Sequence, residues 1–129
     1  MRSPGKARVA EPTRVDVDQR GDTVIATIHG EIDLSNVESV GRMLADTLDH
    51  GAFRHIVDLT YTTFLDSVGI HLLFSIAENL RTRRQELRIA IPDGSSVARV
   101  LRLTDVPAVI PMYPDVATAL AAKQDELTF

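Results

Sequence analysis

The sequence predicts a single α/β domain, in which a mixed, mainly parallel β-sheet starts with an antiparallel hairpin and is accompanied by four helices. Short apolar segments alternate with segments of helical periodicity, the pattern of parallel strands joined by right-handed helical crossovers. The first two apolar segments instead follow one another across a glycine-containing turn, as hairpin strands do. The chain has 129 residues, of which 44% are hydrophobic, enough for one core without a metal or a disulfide.

Composition and charge argue against several classes of function. The formal net charge is -4, the wrong sign for electrostatic binding to nucleic acid. The absence of cysteine excludes thiol catalysis, cysteine-based metal sites and disulfides. No apolar segment approaches the ~20 residues of a membrane span, and the N-terminus lacks the apolar core of a signal peptide. We therefore expect a cytoplasmic protein that contacts neither nucleic acid nor a membrane.

The domain is expected to span residues 13–122. Residues 1–12 show no apolar periodicity and are predicted to form a flexible tail, with residues 123–129 as a C-terminal tail. In the hairpin, Val15 and Val17 alternate with aspartates, and after a turn at residues 19–22 a second alternating strand reaches Ile28. Residues 30–34 are expected to form a short extended link.

The first helix and the strand after it follow from local signals. The helix is predicted to begin at Ser35, which has the capping-box spacing to Glu38, and to end at Gly51. Residues 55–59 follow as a strand that is apolar on both faces, and residues 61–65 as a loop. The apolar stripe of the helix consists of Val37, Val40, Leu44 and Leu48.

The second half continues the alternation of helices and strands. The second helix is predicted from Asp66–Ser67 to about Arg84, with a core face of Gly69, Leu72, Leu73, Ile76, Ala77 and Leu80. After a buried strand at residues 87–91, a third helix is capped by Ser95 or Ser96, ends before Pro107 and buries Val97, Val100 and Leu101. A strand at residues 108–112 precedes a last helix, which is expected to begin at Pro114 and to bury Val116, Ala119 and Leu120.

Few residues suggest catalysis, a metal or a cofactor. Glycine-rich phosphate loops are absent, and no paired acid and base indicates an enzyme. A receiver domain would offer Asp58 or Asp66 as a phosphoryl acceptor, but residues 92–122 contain no lysine and no acidic pair follows an early strand. We expect no bound metal, because the histidines lie on different predicted elements and lack the i, i+4 spacing of a helical zinc site; they are His29, His50, His55 and His71.

One segment, residues 64–69, combines a helix start with exposed chemistry. Asp66 is a natural N-cap, which places Ser67 in the first turn with its hydroxyl toward solvent. Ile70, His71 and Phe74 follow on the same exposed side, and the two apolar ones are not needed for the predicted core face. Apolar residues beside a solvent-facing hydroxyl indicate a docking surface. The alternative is that Asp66 and Ser67 merely start a helix.

Three sets of residues resemble the motifs of a known family. Gly30-Glu31-Ile32-Asp33-Leu34-Ser35 resembles the early G-x-x-D motif of the STAS domain. His55-Ile56-Val57-Asp58-Leu59-Thr60, continued by Phe64-Leu65-Asp66-Ser67-Val68-Gly69, resembles its D-L plus D-S-x-G signature. Segments 87–91, 100–103 and 113–120 fit its second half. The chain thus resembles STAS domains over residues 14–122, and among them the bacterial anti-sigma factor antagonists (anti-anti-sigma factors).

This resemblance implies a phosphorylation-controlled change of partner. In the family, the unphosphorylated antagonist binds an anti-sigma factor of the GHKL serine-kinase type and frees a sigma factor; phosphorylation of the antagonist releases it, and a serine phosphatase would reset it. Ser67 is then the phosphorylation site. Val68 stands where many relatives carry a second hydroxyl, so one acceptor remains, and His71 departs from the family's D-S-x-G-L-G. The implied partner-binding residues are Asp33, Asp66, Ser67, Val68, Gly69, Ile70, His71 and Phe74.

A second function stays open beside this one. The chain is then a STAS scaffold subunit of a sensory or transport assembly, in which Ser67 is not modified. The intact Asp66–Ser67 pair favours the antagonist. In either case we expect a monomer or a weak homodimer, with the first strand as an exposed edge.

Overall fold

The computed structural model describes residues 12–48 and 51–123. The predicted tails, residues 1–12 and 123–129, lie outside these ranges except for residues 12 and 123. His50 also lies outside them. The described strands are β1 (Arg14–Arg20), β2 (Thr23–Ile32), β3 (Arg54–Asp58), β4 (Thr62–Leu65), β5 (Glu86–Ala90) and β6 (Met112–Tyr113). The described helices are α1 (Val37–Leu48), α2 (Ser67–Thr82), α3 (Ser96–Arg102), α4 (Val106–Val109) and α5 (Val116–Ala121).

The sheet is mixed, as the sequence predicts. Its strand order is β1-β2-β3-β5-β6, with β4 paired to β2 beside this path. The β1–β2 hairpin is antiparallel and every other pairing is parallel. Gly21, in the hairpin turn, has φ +63°, a conformation that glycine adopts without steric cost. β1 is an edge strand, and all its side chains except the half-buried Val15 are exposed.

Two layers of side chains cover the sheet. On one face, α1 to α4 pack over a large core that includes Ile28, Val57 and Ile89 of the central strands. On the other face, the short helix α5 covers a small cluster of Ile25, Ile56, Ala90 and Ala119. No helix in the described ranges is long and apolar enough to cross a membrane.

A buried arginine attaches α5 to the sheet. Arg88 of β5 is 2% exposed, and its Nη1 donates to the carbonyl oxygens of Ala119 (2.5 Å) and Ala122 (2.8 Å). Its Nη2 donates to the carbonyl of Lys123 (3.2 Å), and its Nε lies 2.9 Å from Glu86 Oε1. The guanidinium thus satisfies the carbonyls that the end of a helix leaves unpaired.

Two predicted segments have a different secondary structure. Residues 62–65, predicted as a loop, form β4, because the last three residues of β2, Gly30 to Ile32, supply a strand partner that local sequence does not reveal. Residues 108–112, predicted as a strand, instead contribute to α4 and the start of β6. Pro107 is compatible with α4 because it lies in the first turn, where no backbone N–H is needed.

Helix starts and faces also differ in detail. α1 begins at Val37 and not at Ser35, whose hydroxyl donates to Asp33 Oδ1 (2.5 Å). α5 begins after Asp115, whose carboxylate accepts from Thr118 N (2.7 Å), so Pro114 precedes the cap. In α3, Ser95 is the cap, and Val100, predicted to be buried, is exposed.

Candidate functional site

The pairing of β2 with β4 fixes the position of the candidate site. Ile32 and Leu65, the last residues of these parallel strands, are register partners. The amide of Asp66 extends this contact by donating to the carbonyl of Ile32 (3.4 Å). Because both strands end at the same edge of the sheet, the residues that follow them, Asp33 and Asp66, leave it side by side.

Asp66 caps α2, as the sequence predicts. Its Oδ1 accepts from the backbone N–H groups of Val68 (3.0 Å) and Gly69 (3.4 Å), and its carbonyl accepts from Ile70 (3.1 Å). These contacts satisfy amides that the first turn of a helix otherwise leaves unpaired. Ser67 is the first residue of the helix and is exposed. The hydroxyl is therefore presented to solvent on a helix start that its neighbour holds in place.

Gly69 lets the first turn of α2 lie close against the strand ends. A Cβ atom at this position would be 2.7 Å from Leu65 Cδ1 and 3.2 Å from Ile32 Cγ2. Both neighbours are buried in the core. Gly69 is itself buried, so it belongs to the site as a packing residue and not as a contact surface.

The turn that carries Asp33 is held by hydrogen bonds on both sides. Asp33 Oδ1 accepts from the backbone N–H (2.9 Å) and hydroxyl of Ser35, and the Asp33 carbonyl accepts from Asn36 and Val37. Asn36 Nδ2 in turn donates to Thr13 Oγ1 (3.1 Å) and to the carbonyl of Glu31 (2.8 Å). In the described part of the chain, the second carboxylate oxygen, Oδ2, of neither Asp33 nor Asp66 accepts a hydrogen bond.

The predicted exposed side of α2 is only partly exposed. His71 is exposed, and it lines a shallow surface groove with Phe74, Ser75, Glu78, Asn79 and Thr82. Ile70 and Phe74, predicted to be surplus to the core, are half-buried and pack against it. This expectation was wrong because α2 packs against α1, α4, β4 and β5 together, so a wider face of the helix is covered than the apolar stripe suggests. Val68 is half-buried.

Two exposed apolar residues at the ends of β2 and β4 were not identified from the sequence. Leu34 follows Asp33 in the turn after β2 and is 76% exposed, and Phe64 lies on β4 and is 47% exposed. The signal for Leu34 was an apolar residue inside a polar turn. Phe64 could be assigned only once β4 was known, because its alternation with the buried Leu65 then places the two side chains on opposite sides of the strand.

The chain segments that form the site are acidic. Residues 21–41 and 55–80 contain no lysine or arginine. The same stretches contribute Glu31, Asp33 and Asp66, of which Glu31 is exposed and the two aspartates are half-buried. The basic residue in the last turn of α2 is Arg81, at the opposite end of the 16-residue helix from Ser67. A positively charged partner is therefore favoured electrostatically at this site.

The other titratable residues do not assemble a second site. The buried carboxylate of Asp58 is held by Thr60 N–H (3.0 Å) and the hydroxyls of Thr60 and Thr27, so it is not an accessible phosphoryl acceptor. His29 contacts Asp16 and stacks on Tyr61, whereas His55 is buried. Within residues 12–48 and 51–123, no group of three or more histidine or acidic side chains is arranged to hold a metal ion.

Comparison with known proteins gives the family and the fold. The family model of the STAS domain matches residues 14–119. An anti-sigma factor antagonist from Mycobacterium paratuberculosis superposes with a TM-score of 0.79 at 22% identity, covering 88% of this chain and 96% of that one. A putative anti-sigma factor antagonist from Thermotoga maritima gives a TM-score of 0.71 at 19% identity, covering 82% and 91%.

The anti-sigma factor antagonist SpoIIAA is also similar. Its unphosphorylated form gives a TM-score of 0.67 at 18% identity, covering 83% of this chain and 93% of that one. The phosphorylated form of SpoIIAA, described as a Bacillus cell fate determinant, gives 0.61 at 17% identity, covering 83% and 96%. Among curated protein sequences none matches this chain. The family match spans most of the chain and agrees with the observed fold, and the chain therefore belongs to the STAS domain family.

Proposed function

We propose that this STAS domain is an anti-sigma factor antagonist whose binding is switched by phosphorylation of Ser67. Unphosphorylated, it binds an anti-sigma factor that is also a GHKL-type serine kinase, and the sigma factor is freed. Phosphorylation of Ser67 ends this binding, and a serine phosphatase restores it. In this proposal the protein is a cytoplasmic regulator of transcription and not an enzyme.

The observation that carries the proposal is the position of Ser67. It is an exposed residue at the start of a long helix, preceded by a cap and supported by a glycine that packs on the core. The hydroxyl can therefore enter a kinase active site without unfolding of the domain. Solved antagonist relatives support the same reading, since SpoIIAA has been obtained in unphosphorylated and phosphorylated forms.

Charge explains how a phosphoryl group on Ser67 would act. It adds about -1.5 to -2 charges at neutral pH. The N–H groups of Val68 and Gly69, which would otherwise attract it, already donate to Asp66 Oδ1. The attraction of the helix start, about 0.3–1 kcal/mol on a surface, is opposed by the adjacent Asp66 carboxylate. We therefore expect little change in the fold.

In a complex the same charge is far more costly. Burial of a dianion that gains no cation of its own costs several kcal/mol, and in this proposal the cations of the partner are already paired with Asp33 and Asp66. About 2.8 kcal/mol already weakens binding a hundredfold. The contact surface in this proposal includes Asp33, Asp66, Ser67 and His71, with Val68, Ile70 and Phe74 at its partly buried border and Gly69 beneath it. Phosphorylation thus changes binding and leaves folding nearly unaffected.

Affinity capture from a lysate of the source organism tests this function. Wild type, Ser67→Ala and Ser67→Glu serve as baits, and eluted proteins are identified by mass. We expect wild type and Ser67→Ala to retain a GHKL-type kinase that Ser67→Glu loses. Equal capture by all three, or capture of other STAS proteins only, contradicts the proposal and supports the scaffold alternative.

A further inference from the structure

We propose that Leu34 and Phe64 are the apolar anchors by which the kinase that acts on Ser67 holds this protein. The inference rests on the proposed function and adds to it the residues that set affinity and the chemistry of the surface that receives them. The kinase is expected to present an apolar pocket bordered by arginine or lysine.

The positions of the two side chains follow from the pairing of β2 with β4. Phe64 directly precedes Leu65, and Leu34 lies two residues after Ile32, the register partner of Leu65. Ser67 lies two residues after Leu65. Leu34 thus follows the end of β2 and Phe64 lies near the end of β4, at the sheet edge from which α2 and Ser67 start. A protein that encloses the Ser67 hydroxyl in an active site must also cover this edge.

Exposure separates these two residues from the apolar residues of α2. Leu34 is 76% and Phe64 47% exposed, whereas Ile70 and Phe74 already contact the core. Side chains that leave water only on binding contribute more to affinity than side chains that are already half-buried. The apolar part of the docking surface is thus expected on the β2–β4 side of Ser67.

Charge identifies the occupant as a basic protein surface and argues against a second copy of this chain. Glu31, Asp33 and Asp66 accompany the two anchors, and the segments that carry them contain no lysine or arginine. The Oδ2 atoms of Asp33 and Asp66 accept no hydrogen bond from the described residues, which leaves them available to a cation. Two copies related by symmetry would instead oppose carboxylates to carboxylates.

Steady-state phosphotransfer to single variants tests the inference. The captured kinase is assayed with ATP and with wild type, Leu34→Ser and Phe64→Ser as protein substrates. Each serine variant is expected to raise KM for the protein substrate about tenfold or more while kcat stays within about twofold, since loss of a buried Leu or Phe contact weakens binding by this order. The matched control is Val17→Ser, which alters a 54% exposed side chain on β1. Val17 pairs with Ala26, about 20 Å along β2 from Ile32.

The outcomes distinguish this inference from the function on which it rests. A kinase that phosphorylates wild type, Leu34→Ser and Phe64→Ser with equal KM overturns the anchors and leaves the function standing. Absence of phosphotransfer to wild type overturns both. Circular dichroism verifies that the variants fold, and Phe64→Leu, which keeps an apolar side chain, is expected to remain within about threefold of wild type in KM.

Discussion

Gly69 lies so close to Leu65 that a Cβ atom on Gly69 would be 2.7 Å from the Leu65 Cδ1 atom. Because Gly69 has no Cβ atom, the first turn of α2 can lie against the ends of β2 and β4. This packing positions Ser67. A glycine in a helix is normally unfavourable by up to about 1 kcal/mol relative to alanine. At this position the tight packing outweighs that preference.

Gly69→Ala is therefore expected to destabilise the domain. Overpacking costs about 1–3 kcal/mol, which exceeds the gain in helix propensity, so the free energy of unfolding should fall in urea titrations. Gly41→Ala is the matched control: its Cβ would meet Leu72 Cδ1 at an ordinary 3.4 Å, and the variant should be stabilised by up to about 1 kcal/mol. Equal effects of the two substitutions would contradict the packing role of Gly69.

Asp66 is expected to contribute to stability through its capping oxygen more than through its charge. Asp66→Ala removes the acceptor for Val68 N–H and Gly69 N–H and should lower the free energy of unfolding by about 1 kcal/mol. Asp66→Asn retains a side-chain oxygen and should lose at most a few tenths of that. The free energy of unfolding is measured by chemical denaturation of wild type, Asp66→Ala and Asp66→Asn. A loss of stability in Asp66→Asn as large as in Asp66→Ala would refute the capping role.

Arg88 is expected to be required for attachment of α5. Arg88→Ala leaves Glu86 without this buried partner and the carbonyls of Ala119, Ala122 and Lys123 without their donor. Loss of hydrogen bonds from a charged donor costs about 1.5–3 kcal/mol, whereas Glu86 is 25% exposed and keeps its contact with Arg54 (2.8 Å). Hydrogen exchange should become fast in residues 116–121. Arg88→Lys supplies charge without the planar fork and should recover only part of the loss. Unchanged protection of α5 in Arg88→Ala would contradict this assignment.

His55 should make stability depend on pH in the mildly acidic range. Its Nε2 donates to the Ala52 carbonyl (3.1 Å) and contacts Gln85 Oε1 (3.3 Å), while its Nδ1 is buried without a partner in the described residues. Burial lowers the pKa of His55 below its ordinary 6.5. The unfolded chain therefore binds this proton first, and stability that is complete above pH 6.5 is lost as the pH falls toward the folded pKa.

The non-titrating variant His55→Gln isolates this contribution. The free energy of unfolding is measured between pH 7.5 and pH 5 for both proteins, a window that lies above the ordinary pKa range of the carboxylates. Wild type should lose stability more steeply than His55→Gln as the pH is lowered. Parallel pH profiles would show that His55 is not the titrating group.

Local chemistry made the start of α2 predictable, because the cap formed by Asp66 involves amides only two and three residues away. The same holds for the hairpin and the alternation of strands and helices. β4 was not predictable, since its pairing depends on Gly30 to Ile32, more than thirty residues earlier in the chain. The exposure of Phe64 follows from that pairing. Ile70 and Phe74 were assigned to the surface because a helical stripe does not reveal how many neighbours surround the helix.

The most direct test of a switch at Ser67 is phosphotransfer from the captured GHKL-type kinase to this protein, followed by intact-mass measurement and site mapping. We predict one added phosphoryl group on wild type, located at Ser67, none on Ser67→Ala, and at least about a hundredfold weaker kinase binding by the phosphorylated protein. Phosphorylation at another residue, or phosphorylated Ser67 that binds the kinase as tightly as the unmodified protein, would contradict it.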